Sequence, residues 1–444
     1  MPRTLTDKLI ARACGRETIS PGDLVTCQVD LAMMHDSGGP RRVKPMLERL
    51  GAKVWDPDKI VLITDHYLPA TDADSRAIQS TTRDWAAQTG VRRFHDGIGI
   101  CHVVLAEQGH LRPGLFAVGG DSHSPTGGAF GCYMFGIGAT EMLGVLVTGE
   151  IWLQVPQTIW LEWRGQLGLG LCAKDMMLAM CARLGMDGGR YQSIEYCGET
   201  VRALGMQERM TLSNMAAELG AQAGIVEADS VTRDYLLAAG AGAVDIDTWR
   251  ADPDARPAEH HVFNADTLAP QVAAPHSPAN SASVDQQGEQ VLDVAYIGAC
   301  TGAKLVDLRM AAQVLRGRRV ANGMRLLVGP ASAQDQAQAQ AEGTLSALID
   351  AGAELLPNAC GACAGYGAGR FDDGIRVIAS TARNFKGRMG AASSRIWLGS
   401  PYTVAAAAVT GRITDPRLLL DRYADDAAGV ERSYQRVHER TDHG

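Results

Sequence analysis

The sequence has few aromatic residues, no excess of positive charge and no long apolar run free of charged residues. Aromatic residues make up 5% of its 444 residues, and Ala and Gly compensate for them in a composition otherwise typical of a globular protein. The formal net charge of −8 leaves no basic face for phosphate backbones or anionic lipid headgroups. We therefore expect neither nucleic acid nor a membrane as a partner.

The longest apolar stretch, residues 133–153, does not read as a membrane span. It contains Glu141, Glu150 and four glycines, so we expect a helix buried inside the protein. Residues 1–7 have no apolar segment of the kind found in secretory signals. The ten cysteines are too dispersed for a secreted disulfide framework, which predicts a cytoplasmic protein with mostly reduced thiols.

Short apolar runs alternate with longer Ala-rich segments along the chain. The runs at 60–63, 115–118 and 325–328 soon meet Gly, Asp or Pro, as strands do, and helical patterns such as 213–223 and 307–315 occur between such runs. This alternation predicts α/β layers with largely parallel sheets, whose chemistry usually lies on loops past the strand ends.

A chain of this length is too long for one hydrophobic core, so we expect several domains. A segment rich in Pro, Ala, Ser, Asp and Gln at 251–289 is expected to connect domains rather than to enter a core. The polar tail after Arg422 is expected to form a surface helix. The predicted division is listed in chain order: domain 1 at 1–156, domain 2 at 157–275, a linker at 276–289 and domain 3 at 290–444.

Three cysteines form the most specific local pattern. Cys360 and Cys363 have the C-x-x-C spacing, and Cys300 lies upstream, just after a predicted short strand. A redox dithiol, a zinc site and an iron–sulfur site all fit this spacing, and so do three ordinary cysteines. Because the part of the sequence between the linker and the tail holds no second C-x-x-C and no His, a metal bound here would keep an open position.

Seven segments resemble, in the same order along the chain, the motifs of the aconitase superfamily, and they are most similar to its 3-isopropylmalate dehydratase branch. Together they extend over most of the sequence. They are Thr64-Asp65-His66, Gly97–His102 followed by Glu107-Gln108-Gly109, Gly120–Thr126, Ser213–Ala221, Ile297–Thr301, Cys360–Cys363 and Arg383–Arg388.

The resemblance implies a fold of three α/β/α layered domains around a central [4Fe–4S] cluster, without the swivelling domain of full aconitases. Cys300, Cys360 and Cys363 would hold the cluster and leave its fourth iron open to substrate as a Lewis acid. The base would come from a separate small subunit that carries the swivelling domain, so the enzyme would be a heterodimer and this chain alone would be nearly inactive.

The resemblance also implies roles for eleven further residues. Catalytic roles fall on the pair Asp65 and His66, the pair His102 and Asp121, and on His123 and Glu218. Substrate-binding roles fall on His35, Ser122, Asn214, Arg383 and Arg388. An Asp-His pair suits proton transfer because the carboxylate fixes the imidazole tautomer, and a guanidinium suits a substrate carboxylate because it can pair with both oxygens.

The implied reaction is the dehydration and rehydration of a 2-substituted malate. The preferred substrate is 2-isopropylmalate, which would become 3-isopropylmalate in leucine biosynthesis. A homoaconitase, a methylmalate-type dehydratase and a substituted-malate isomerase of specialised metabolism are alternatives, and the substrate would be a small dicarboxylate or tricarboxylate. Alternatives of other classes are an RNA-binding regulator formed by the cluster-free chain, which the net charge opposes, and an inactive zinc-binding relative.

Two positions depart from the family pattern. Gly302 stands where the family usually has Asn, within Thr301-Gly302-Ala303-Lys304, and Ala382 replaces an Asn just before the arginine motif. Losing two amides changes what a pocket can hold, so these departures bear on the substrate more than on the reaction class. His35-Asp36 and Thr126 resemble the isopropylmalate branch better than aconitase itself.

Overall fold

Parallel strands followed by helices make up most of the chain. The computed structural model describes residues 2–366 and 370–420, so the predicted surface helix after Arg422 lies outside the described residues. The α-helices are α1 Leu5–Cys14, α2 Pro40–Leu50, α3 Ala73–Thr89, α4 Cys101–Glu107, α5 Ala139–Thr148, α6 Ala173–Leu184, α7 Glu199–Ala203, α8 Met206–Asn214, α9 Ser230–Ala238, α10 Leu305–Leu315, α11 Ala333–Ala341, α12 Thr344–Ala351 and α13 Pro401–Thr410.

The strands are short, and most of them end in a loop that leads to a helix. They are β1 Leu24–Gln28, β2 Leu31–His35, β3 Ile60–Thr64, β4 Arg93–Asp96, β5 Phe116–Gly119, β6 Tyr133–Gly136, β7 Glu150–Gln154, β8 Thr158–Arg164, β9 Ser193–Cys197, β10 Ala223–Val226, β11 Glu259–Asn264, β12 Gln271–Ala273, β13 Ser281–Ser283, β14 Val294–Ile297, β15 Arg325–Val328, β16 Ala353–Leu355, β17 Arg376–Ala379 and β18 Arg395–Gly399.

Three sheets carry the architecture. A five-stranded sheet has the order β4-β3-β2-β5-β6 and a four-stranded sheet the order β10-β9-β8-β11, and both are parallel throughout. A seven-stranded sheet has the order β13-β12-β18-β17-β14-β15-β16, in which only the pairings of β12 are antiparallel. Strands β1 and β7 form a separate antiparallel ribbon. The prediction of α/β layers with largely parallel sheets is confirmed.

Buried small and aliphatic side chains fill the space that larger rings would take in other proteins. Residues 404–408 of α13 are fully buried and pack with α10 and the seven-stranded sheet in one cluster. A second cluster joins the seven-stranded and four-stranded sheets, because Trp163 and Met176 pack in it together with Val294 and Val377. Burial of apolar surface therefore ties neighbouring sheets together.

Two segments differ from the expectation. Residues 133–153 contain β6, α5 and β7 rather than one helix, because the glycines at 136, 138 and 149 interrupt the apolar pattern. The segment 251–289 leads from the four-stranded to the seven-stranded sheet and contributes β11, β12 and β13 on the way. The domain boundaries at 156, 275 and 289 stay a prediction. No helix in the described part of the chain has the length and hydropathy needed to cross a bilayer.

Candidate active site

The carboxyl ends of two parallel sheets contribute side chains to one site. In the five-stranded sheet the strand order reverses between β2 and β5, and ligands in such sheets bind at the reversal. His35 ends β2, Asp65 and His66 follow β3, and residues 121–123 follow β5. The sequence therefore places six of the predicted residues at the edge where chemistry is expected.

The seven-stranded sheet contributes the cysteines and the arginines in the same way. Its order reverses between β14 and β17, with Cys300 just after β14 and Arg383 just after β17. The loop after β16 carries Cys360 and Cys363. Cys360 directly precedes the short 3-10 helix at 361–364, and Cys363 lies within this helix. The two sheet edges touch, because the Cys360 amide donates to the Asp65 carbonyl at 2.8 Å.

Asp65 and His66 form a buried ion pair. His66 Nδ1 lies 2.6 Å from Asp65 Oδ1, and Asp65 Oδ2 accepts a hydrogen bond from the Cys101 amide at 2.8 Å. Burial opposes the charge on His66, but the Asp65 carboxylate outweighs it and raises the pKa of His66 to about 9. Burial likewise opposes ionisation of Asp65, yet the His66 charge lowers the pKa of Asp65 to about 2. His66 is therefore a protonated imidazolium at neutral pH.

His35 lies against this pair but stays neutral. Its ring stacks on that of His66 with centroids 4.2 Å apart. The Ser37 amide donates to His35 Nδ1 at 3.2 Å, and His35 Nε2 lies 3.0 Å from the Gly120 carbonyl, so these partners assign the proton to Nε2. Burial and then the charge of His66 lower the pKa of His35.

A second buried network runs from His102 to Arg383. His102 Nε2 lies 2.9 Å from Asp121 Oδ1, and the same oxygen accepts from the His123 amide at 2.8 Å. His123 Nε2 lies 3.3 Å from Glu218 Oε1, which also accepts from Arg383 Nε at 2.5 Å. The hydrogen bonds from His102 and His123 outweigh burial and hold the pKa of Asp121 well below its usual value. Acids and imidazoles thus alternate through the network.

The arginine motif contacts the loop after β5 and lines the same site. Arg383 Nη1 donates to Ser122 Oγ at 2.8 Å, which links the loops after β17 and β5. Arg388 lines a cavity of about 330 Å³ together with His35, His66 and Asp121. A cavity with two cationic side chains, a neutral imidazole and a carboxylate can bind a small anion and exchange protons with it.

The three cysteines lie next to these networks. Asn214 Nδ2 donates to Cys300 Sγ at 3.1 Å and to Thr126 Oγ1 at 2.8 Å. Burial raises the pKa of Cys300 to about 12. A hydrogen bond from Cys360 outweighs burial at Cys363 and, together with the charge of Arg388, lowers the pKa of Cys363 to about 5. The surroundings therefore favour thiolate at Cys363.

The donor set fits an iron–sulfur cluster, because three cysteines from two loops supply thiolate ligands and leave one position open. Four buried polar atoms of the site also have no hydrogen-bond partner among the described residues: His102 Nδ1, Asn214 Oδ1, Glu218 Oε2 and Arg388 Nε. Unpaired buried atoms are costly, so a bound polar group would satisfy them.

All fourteen predicted site residues therefore belong to one connected site; their roles stay a prediction. Sequence reasoning missed two fully buried lysines next to it, Lys174 and Lys304. Lys304 Nζ donates to the Cys300 carbonyl at 3.0 Å and to Asp307 Oδ2 at 2.7 Å. A signal existed, because Lys174 interrupts an apolar helix pattern at 171–181, where a charge needs a buried partner. Burial, and then the like charge of Lys304, lowers the pKa of Lys174 to about 8.

Asp36 was noted only as a neighbour of His35, yet it holds the turn at 65–67. Its carboxylate accepts from the His66 amide at 3.1 Å, the Tyr67 amide at 3.0 Å and Gln79 Nε2 at 2.7 Å. A buried carboxylate that accepts several amides fixes a backbone turn firmly. Asp36 therefore sets the position of the Asp65–His66 pair.

Comparisons with known proteins show which family the sequence matches. A model described as the aconitase family (aconitate hydratase) matches residues 7–293 and 285–411. The 3-isopropylmalate dehydratase large subunit 1 of Methanopyrus kandleri is 41% identical over 419 residues, which cover 94% of this chain and 99% of that protein. The 3-isopropylmalate dehydratase large subunit of Moorella thermoacetica is 39% identical over 419 residues, with the same two shares.

A relative that is described with a different activity is almost as similar to this chain as the two dehydratase subunits are. A Methanothermobacter thermautotrophicus protein described as a probable methanogen homoaconitase large subunit is 38% identical over 418 residues, which cover 93% of this chain and 97% of that protein. Similarity at this level extends over nearly the whole described fold. It does not by itself separate one substituted malate from another.

Proposed function

The chain belongs to the aconitase family, and from that membership we propose that it is the large subunit of a hydro-lyase that dehydrates and rehydrates a 2-substituted malate. The observation that carries this proposal is the meeting of three cysteines, an imidazolium and two arginines at the facing edges of two parallel sheets. The preferred reaction converts 2-isopropylmalate to 3-isopropylmalate in the cytoplasm.

Cys300, Cys360 and Cys363 would hold a [4Fe–4S] cluster. When bound, the cluster supplies a Lewis acid at an iron position that no cysteine occupies. The unpaired buried polar atoms of the site, which a bound polar group would satisfy, support this ligand set. Asn214 would position Cys300, because its amide already donates to that sulfur.

His66 is suited to protonate the departing hydroxyl group. It is charged at neutral pH, its Nδ1 is fixed by Asp65, and it lines the cavity. Its Nε2 lies 4.0 Å from Asp121 Oδ2, so it holds its proton where a small ligand can receive it. His102, Asp121, His123 and Glu218 would complete a second relay, in which each imidazole lies beside a carboxylate.

Arg388, with Ser122 and His35, would bind a substrate carboxylate from the cavity wall, and Arg383 would orient Ser122 and Glu218 as well as contact substrate. The base would come from a small subunit with a swivelling domain, as the large-subunit names of the relatives support. A homoaconitase, a methylmalate-type dehydratase or a specialised substituted-malate isomerase remains the alternative within the same reaction class, and the probable homoaconitase relative supports the first of these.

Metal analysis of anaerobically purified protein tests the proposal. We expect about four irons and four sulfides per chain with the brown absorption of a cluster, and loss of both in Cys360→Ser. Cys14→Ser is the matched control, because Cys14 is a half-buried cysteine on α1, away from the site. Substituted malates are then assayed with candidate small subunits. Zinc, or no metal after anaerobic reconstitution, would overturn the proposal.

A further inference from the structure

One fully buried ammonium group connects the cysteine loop to the arginine loop. Lys174 lies in the first turn of α6, and 1% of its surface is exposed. Its Nζ donates to Thr301 Oγ1 at 3.0 Å, to the Ser380 carbonyl at 2.9 Å and to the Thr381 carbonyl at 2.7 Å. All three ammonium hydrogens are thus used, each on a different residue.

The acceptors lie beside the predicted ligands. Thr301 directly follows Cys300, and Ser380 and Thr381 closely precede Arg383. Thr301 Oγ1 also lies 3.1 Å from the Ser380 carbonyl, so the two loops share a hydrogen bond of their own. A shift of the α6 ammonium would therefore move the loop of a cluster ligand and the loop of a substrate arginine together.

No carboxylate among the described residues accepts a hydrogen bond from Lys174 Nζ, although the charges of Asp307 and Glu218 favour its protonated form without such contact. Its three acceptors are neutral oxygens, and the nearby Lys304 donates to Asp307. A buried ammonium with only neutral partners is expensive in free energy. An anionic group bound through thiolates next to Thr301 would offset this cost, because three thiolates carry negative charge into the same buried region.

We propose that Lys174 is a positioning residue that holds the cysteine and arginine loops in register and offsets the negative charge of the group bound by the three cysteines. This inference rests on the proposed function, because it needs a cluster at Cys300, Cys360 and Cys363. Lys174 does not touch substrate and takes no part in proton transfer. Its charge acts on the electronic properties of the cluster, and its hydrogen bonds act on the retention of the cluster.

The midpoint potential of the bound cluster separates the two contributions. Lys174→Gln removes the charge but keeps two N–H donors, and Lys386→Met removes the same charge from an exposed position in the arginine loop. In the reconstituted full chain, an EPR-monitored redox titration should give a more negative potential for Lys174→Gln than for wild type, because a lost positive charge disfavours the reduced cluster. Lys386→Met should match wild type. Equal potentials in all three proteins would overturn the charge contribution.

The rate at which the protein loses its cluster tests the positioning contribution. This measurement does not require that Lys174→Gln folds. Thr301→Val preserves the charge and shape but removes one acceptor of Lys174 and, with it, the hydrogen bond from Thr301 to the Ser380 carbonyl. We expect its cluster to be lost to an iron chelator several-fold faster than that of wild type, at an unchanged potential. A rate equal to wild type would overturn the positioning contribution. Wild-type protein that binds no cluster would instead overturn the proposed function, so the two failures are distinguishable.

Discussion

His35 and His66 stack on one another, yet their surroundings favour opposite charge states. His66 contacts the Asp65 carboxylate, whereas His35 contacts an amide and a carbonyl. An imidazole pair of this kind combines one proton donor with one neutral hydrogen-bond partner at fixed spacing. The charge difference therefore comes from partners one to three residues away in sequence and from Gly120 across the sheet.

Replacing Asp65 by Asn tests the source of the His66 charge. Since the folded pKa of His66 is about 9, above its unfolded value of about 6.5, its stabilisation is complete below about pH 6.5 and is lost as the pH rises through 9. The contribution of Asp65 is present above about pH 4 and is lost as the pH falls through 2. The stability difference between wild type and Asp65→Asn should thus be largest from about pH 4 to about pH 6.5.

Urea unfolding across this range, followed by circular dichroism, measures the difference. Asp350→Asn is the matched control, because Asp350 is exposed at the end of α12 and should give a small difference at every pH. A difference for Asp65→Asn that stays constant from the acidic range through pH 9 would contradict the ion pair.

Gly302 has no space for a side chain. A Cβ at this position would lie 2.2 Å from Ser380 Oγ and 2.3 Å from the Ser380 carbonyl. Ser380 Oγ occupies the space, accepts from the Gly298 amide at 3.0 Å and lies 3.0 Å from the Gly302 carbonyl. The hydroxyl of Ser380 thus forms hydrogen bonds in the space that a side chain at position 302 would fill.

Gly302→Ala should destabilise the protein by about 1–3 kcal/mol, because the new methyl group overlaps backbone as well as side-chain atoms. Ser380→Gly should restore only part of this loss in the double variant, since the carbonyl contact remains. Gly144→Ala is the control: nothing lies within 4 Å of its Cβ position in α5, so it should be neutral or stabilising by up to about 1 kcal/mol. Chemical denaturation of the three variants measures these values, and a neutral Gly302→Ala would show that the loop moves freely.

At the scale of elements, α4 and the loop before α11 meet at a buried acid pair. Ser332 Oγ donates to Glu107 Oε1 at 2.5 Å, and Gln207 Nε2 donates to Asp335 Oδ1 at 2.9 Å. Burial and the neighbouring Asp335 raise the pKa of Glu107 to about 8. Helix α4 contains His102, so this contact joins the helix of His102 to the loop that follows β15.

Glu107→Gln should reduce the pH dependence of stability. Because the folded pKa of Glu107 lies above its unfolded value of about 4.5, folding binds a proton, and wild type loses stability as the pH rises from about 4.5 to 8. Glu107→Gln has a neutral amide that binds no proton on folding, so the variant does not lose this stability as the pH rises. Free energies of unfolding at the two ends of this range should therefore differ less in Glu107→Gln than in wild type, and Glu48→Gln, an exposed residue of α2, should behave as wild type.

Elements were predictable to different degrees. The strands at 60–64, 116–119 and 325–328 follow short apolar runs that end in breakers, and they were expected. The segment 133–153 was expected as one helix, because mean apolarity does not distinguish a buried strand from a buried helix. Gly138 marks the boundary, because Glu141 in the first turn of α5 accepts a hydrogen bond from the Gly138 amide at 2.8 Å. The cysteines, histidines and arginines were identified from motifs. Lys174 has a weaker signal, a charge inside an apolar helix pattern, and Asp36 shows its function in the turn at 65–67 only through its contacts.

At the scale of the molecule, the site requires contributions from the five-stranded sheet, from the seven-stranded sheet and from the segment of Asn214 and Glu218 at the end of α8. The family resemblance inferred from seven motifs is confirmed by similarity over 94% of the chain. The contacts that assemble the motifs are not visible in sequence, because they join residues such as Ser122 and Arg383, 261 positions apart. Local patterns identify the residues, and long-range packing sets their geometry.

The whole chain should need its small subunit for turnover. We expect addition of that subunit to raise the rate by about 10²–10⁴-fold, the usual contribution of a positioned general base. Formation of the unsaturated dicarboxylate, followed by its ultraviolet absorption, measures the rate with and without the subunit. Full activity of the chain alone would show that the base lies within it, and Ser122 and His102 would then be the candidates for that base.

The hydrogen bond between Arg383 and Ser122 also bears on how the protein is made. Its two partners leave the ribosome far apart in time, because 261 residues separate them. The five-stranded sheet is synthesised before the loops of the seven-stranded sheet that face it, so it can fold first. The site is completed only when the seven-stranded sheet, whose strands lie after residue 270, packs against it.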